Sequence, residues 1–151
     1  SWHDAIAFAK WADARLPTVA QWEYACRAGS KGDYCFGNDE KKLGDYAWYG
    51  DNSNGQTQPV GAKLANNWGL HDMHGNVWEW CQDWYGDYEA GLSVDPAGRE
   101  EGSNRVLRGG SWDYSPGFCR SAYRGGDSPS SRSFNLGFRV AAVPGTGPGN
   151  K

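Results

Sequence analysis

No stretch of the 151-residue sequence approaches the roughly 20 consecutive apolar residues that cross a bilayer, so it contains no membrane-spanning helix. No basic run occurs either. Fifteen Lys and Arg face 18 Asp and Glu, a net charge of −3, and nucleic acid is not an expected partner. The four cysteines (Cys26, Cys35, Cys81, Cys119) form no Cys-x-x-Cys pair, which argues against a zinc finger. They suit two disulfides in an oxidising compartment and equally suit buried free thiols, so the compartment stays open between cytoplasm and cell surface. A Gly-x-Ser-x-Gly elbow is missing, and no serine is paired with a histidine and an acid in a hydrolase pattern. Aliphatic stretches are scarce too, with a mean hydropathy of −0.77.

What the chain does have is 9 tryptophans and 22 glycines. Its core must therefore be built from large rings held between tight turns, each ring burying roughly 150–250 Å². Helical character is confined to the first thirty residues. Ser1 with Asp4 reads as a capping box before an alanine-rich run, and Thr18 with Gln21 reads as a second one, its helix ending at Gly29. Short strands are expected at 77–81, 106–108 and 137–142, where apolar residues cluster between turn signals. Residues 143–151, rich in Gly and Pro with nothing to bury, are expected to be a disordered tail.

Several phrases, in order along the chain, resemble one superfamily. They are Arg15-Leu16-Pro17-Thr18 with Gln21-Trp22-Glu23-Tyr24-Ala25, Pro59-Val60-Gly61, and the run from Trp68 to Trp80. Arg105-Val106-Leu107-Arg108-Gly109-Gly110-Ser111-Trp112, Cys119-Arg120 and Gly137-Phe138-Arg139-Val140 complete them. The sequence is similar to the formylglycine-generating-enzyme (sulfatase-modifying factor) superfamily. That resemblance implies an α+β, irregular C-type-lectin-like fold over residues 1–142, with the N-terminal part of the domain missing. The superfamily includes copper-dependent oxidases, iron-dependent sulfoxide synthases and binding domains, among them the variable proteins of diversity-generating retroelements. Function must be sought at the site.

In the oxidases the resemblance implies two copper-binding cysteines after Arg-Gly-Gly-Ser. Here they fall on Tyr114 and Cys119, and a phenol does not replace a thiolate for copper(I). His71 and His74 flank Asp72 and are read as turn residues before metal ligands, and Asp83 and Asp87 as solvated. On these grounds the chain is expected to be a binding domain and not an enzyme. The alternatives are a formylglycine-generating or related metal-dependent oxidase and an undiversified regulatory module.

Asp72 and Glu79 bracket a glycine-containing turn, an arrangement of hard oxygen donors that suits Ca²⁺. The resemblance implies a structural calcium held by the Asp72 and Glu79 side chains and the Gly75 and Val77 carbonyls. Between two strand motifs lies 113–135. Cys119, Arg120, Ala122, Arg124 and Arg132 are read there as packing or charge positions. Interleaved are Asp113, Tyr114, Ser115, Gly117, Phe118, Tyr123, Gly125, Gly126, Asp127, Ser128, Ser130, Ser131, Ser133, Phe134 and Asn135. Rigid rings among small polar side chains are the chemistry of an antibody paratope. Lys, Glu, Gln and Met are absent from this segment, and every interleaved residue is of a kind that mutated asparagine codons reach. The resemblance therefore implies a variable binding face for an unknown ligand, a protein or other macromolecule, with Tyr114, Phe118, Tyr123 and Phe134 as anchors.

Overall fold

The computed structural model describes residues 1–87 and 98–142; the tail expected to be disordered, 143–151, lies outside the described residues. Helix α1 spans Trp2–Trp11 and opens with the expected capping box, in which the Asp4 amide donates to Ser1 Oγ and the Ser1 backbone nitrogen donates to Asp4 Oδ2. Its buried stripe is Ala5 and Ala9, four apart and so on one face. Helix α2 spans Val19–Arg27. Thr18 Oγ1 accepts from the Gln21 amide at 3.2 Å, and Gln21 Oε1 accepts from the Thr18 amide at 3.1 Å. The chain leaves this helix through left-handed Ala28 (φ 44°) and Gly29 (φ 90°).

Asp83, read as solvated, is only 6% exposed, and its Oδ2 accepts from the Val19 amide at 2.9 Å. It is a second, long-range cap on α2. Thr18→Ala should therefore cost about 1 kcal/mol in urea unfolding. A loss of only a few tenths would mean that Asp83 caps the helix alone.

Between these helices lie β1 (Ala14–Arg15) and, at the far end of the chain, β6 (Ala141–Ala142), paired antiparallel. The main sheet holds β2 (Trp78–Trp84), β3 (Arg105–Arg108), β4 (Gly125–Asp127) and β5 (Leu136–Gly137) in the order β4-β3-β2-β5. The run expected at 137–142 is thus divided between two sheets. Strand β5 pairs parallel to β2, and the other two pairings are antiparallel.

The period of two along β2 and β3 assigns their side chains to two layers. Trp78, Trp80 and Leu107 pack with Ala5 and Ala9 of α1. Cys81 and Val106 pack with Val19, Trp22 and Cys26 of α2. The sheet is covered by a helix on each face, which is why Trp78 through Cys81 are all buried. A third cluster, Tyr34, Leu43, Ala47 and Cys119, gathers around α3 (Leu43–Tyr46), a turn too short for sequence periodicity to reveal. All four cysteines are free and buried.

Candidate functional site

Arg108 is one of the buried side chains that hold the 113–135 segment from beneath. Arg108 on β3 is 0% exposed; its Nη2 donates to Glu23 Oε2 at 2.5 Å and to the Ser121 carbonyl at 2.8 Å, and its Nη1 donates to the Tyr123 carbonyl at 2.6 Å. Gly110 brings Cys119 against the same strand end: its φ is +74°, and a Cβ there would lie 2.7 Å from Cys119 Sγ.

On this base the four expected anchors divide. Tyr114, Phe118 and Tyr123 are half-buried and close a ring of contacts with Trp78, centroids 4.8–5.9 Å apart. They are packed against the α1-side core more than offered to solvent. Phe134 is 74% exposed, its ring 5.7 Å from that of Trp112.

The polar residues are organised as well. Asp113 accepts from Ser111 Oγ at 2.6 Å and from Asn135 Nδ2 at 3.1 Å, tying the two ends of the segment together. Asp127 accepts from the Ser128 amide and from Ser131 Oγ, and the Ser128 and Ser130 hydroxyls lie 2.9 Å apart, so this turn is self-supporting. Gly125 and Gly126 belong to β4; a Cβ on Gly126 would meet the Tyr85 ring at 2.8 Å. Ser115 and Ser133 are exposed and Gly117 half-buried. Of the positions read as structural, Cys119 is buried, whereas Arg120, Ala122 and Arg132 are exposed. A groove of about 440 Å³ is lined by Phe8, Trp80, Ser133, Leu136 and Phe138 along with Asp4 and Arg132.

His74 is neither a surface turn residue nor placed as a metal ligand. It is 1% exposed; its Nδ1 lies 2.8 Å from the Cys119 carbonyl, which can only accept, and its Nε2 accepts from the Cys35 amide at 3.1 Å. Both nitrogens of a neutral ring are used, and burial brings its pKa down to about 4 despite the Cys119 carbonyl. Burial likewise pushes the Cys119 thiol up to about 12. With Tyr114 in the other position, a two-thiolate copper(I) site does not fit these residues.

The expected calcium motif shows one orphaned atom. Asp72, at φ +59°, accepts from the Gly61 amide through Oδ2 at 2.8 Å, while its buried Oδ1 has no partner. Glu79 is 6% exposed. Its Oε2 accepts from Trp22 Nε1 and Arg139 Nε, each at 2.6 Å, and its Oε1 from Arg139 Nη2 at 2.7 Å. The Gly75 carbonyl accepts from the Val77 amide at 3.0 Å. Gly75 itself is required by close approach, because a Cβ there would lie 2.2 Å from the Trp48 carbonyl. In sequence Arg139 stands only within the Gly-Phe-Arg-Val phrase; its partner Glu79 is 60 residues away.

A family model described as the sulfatase-modifying factor enzyme 1-like domain matches residues 1–143. The formylglycine-generating enzyme of Streptomyces coelicolor is 42% identical over 93% of this chain and 50% of its own length. That of Thermomonospora curvata is 41% identical over 95% and 54%. Among solved structures, Treponema denticola variable protein 1 superposes with a TM-score of 0.83 at 46% identity, covering 87% of this chain and 48% of that one. The chain spans about half the length of the curated relatives it matches. These relatives bear out the α+β, C-type-lectin-like fold and correct one expectation. The incomplete cysteine pair led to the reading that the chain is not an enzyme, whereas these Streptomyces coelicolor and Thermomonospora curvata relatives are named as formylglycine-generating enzymes.

Proposed function

We propose, from the premise that the chain belongs to the sulfatase-modifying factor enzyme 1-like domain family, that it presents 113–135 as a ligand-binding face. Phe134 carries this reading. It is a 74% exposed ring resting on Trp112, between Ser133, which lines the groove, and Asn135, which is tied to Asp113. A large apolar ring held in water on a rigid base is what a binding hot spot needs, since little ordering remains when the ligand arrives. The likeness to a variable protein supports the further step that this face is diversified. A near-identical template repeat beside a reverse-transcriptase gene in the flanking DNA would be its genomic counterpart.

The test uses peptides selected from a displayed library against the wild-type chain. Phe134→Ala should weaken them at least about tenfold while leaving the melting temperature within about 1 °C, as for a surface residue. Tyr114→Ala should instead cost about 1–3 kcal/mol of stability, because its ring packs on Trp78 and Phe118. Selected peptides that bind Phe134→Ala as tightly as wild type would sink the reading.

The enzyme relatives favour a second reading, conversion of a peptide cysteine to formylglycine. Incubating the chain with a cysteine peptide and reading the peptide's mass separates the two.

The orphaned Asp72 Oδ1 also fits a hard cation. A calcium there would be held by the Asp72 and Glu79 side chains and the Gly75 and Val77 carbonyls, and would supply a structural cross-link between the motif's ends.

A further inference from the structure

The loop from Asp72 to Glu79 is already closed by a cation of the chain's own. Arg139 Nη2 donates to the His71 carbonyl at 3.0 Å and to Glu79 Oε1 at 2.7 Å, while Nε takes Glu79 Oε2 at 2.6 Å. One guanidinium thus spans the residue before Asp72 and the far end of the motif. A carboxylate offers about four lone-pair sites. Three of those on Glu79 are taken, two by Arg139 and one by Trp22. What remains is one site on Oε1, with the unpartnered Asp72 Oδ1.

We propose that Arg139 is a built-in counter-ion that closes the 72–79 loop as a calcium would, so that the fold holds without metal and the metal binds against a competing charge. This rests on the calcium reading above. The competition follows from charge: both cations share the Glu79 carboxylate, and a planar fork fixed by three hydrogen bonds resists displacement. Arg139 is a positioning residue for Glu79, not a ligand.

The experiment is thermal melting of wild type and Arg139→Gln in EDTA and in excess calcium chloride, with calcium binding measured directly by calorimetry. Wild type should melt at nearly the same temperature in both solutions. Arg139→Gln should melt at least about 5 °C lower in EDTA, recover most of the loss with calcium, and bind calcium about tenfold more tightly. Adding Asp72→Asn to that variant should remove the recovery. Should Arg139→Gln fail to fold, Arg139→Lys keeps the charge without the fork, and its smaller loss in EDTA should again be restored by calcium.

Two results overturn the proposal while leaving calcium in place: a wild type that unfolds in EDTA, or an arginine variant that binds calcium no more tightly than wild type. Calorimetry that detects no calcium on either protein removes the calcium reading itself, and the proposal with it.

Discussion

Arg108→Ala should lose about 3–5 kcal/mol of unfolding free energy, because it removes three hydrogen bonds of a charged donor at once from a fully buried position. The side chain is fully buried, and its removal strands three acceptors together: Glu23 Oε2 and the carbonyls of Ser121 and Tyr123. It also takes a guanidinium from 5.0 Å above the Trp22 ring. In a chain of this size that loss lowers the melting temperature by on the order of 10 °C. The control is built in. Arg27 also pairs with Glu23, at 2.8 Å, but both side chains are about a quarter exposed. Arg27→Ala should cost less than about 1 kcal/mol. Urea midpoints at unchanged m-value decide the matter, and near-equal losses would show that the burial of Arg108 contributes nothing special. Since Arg108 holds the backbone beneath Tyr123, its loss should also weaken the selected peptides.

Acid is the second large lever. His74 is neutral in the fold, with a pKa of about 4 against an ordinary 6.5. Between those values the unfolded chain binds a proton that the folded chain refuses, so stability is fully present above pH 6.5 and falls as pH drops through that window toward 4. The shift corresponds to about 3 kcal/mol. Protonation would set a charge beside the Cys26 thiol and the rings of Tyr34 and Phe36, and would leave Nε2 facing the Cys35 amide as donor to donor. His74→Gln should be less stable at neutral pH yet lose little more between pH 7 and 4. A wild-type urea midpoint that stays flat across this window would refute the assignment.

Much of this was legible in the sequence because it depends on neighbours a few residues apart. Both capping boxes were readable from spacings of three, and β2 and β3 from apolar runs between turn residues. The family phrases gave the fold without a single contact. The short helix at Leu43–Tyr46 was not legible, since one turn carries no period, and Asp83 reads as surface until α2 is docked on it.

At the candidate face, composition identified the segment but could not rank its rings. Tyr114, Phe118, Tyr123 and Phe134 are chemically alike, and only the position of Trp78 relative to them makes three of them packing and leaves the fourth in water.

The sequence by itself determined the family, the helix starts, and the aromatic and glycine-rich core. The tertiary structure decided which titratable groups are buried, and with which partners. Val19 meets Asp83 64 residues on, Arg108 meets Glu23 across 85, and Arg139 meets Glu79 across 60. Spacing rules act through the local backbone and do not reach that far. Burial, which sets the cost of each of these charges, is a property of the packed layers alone.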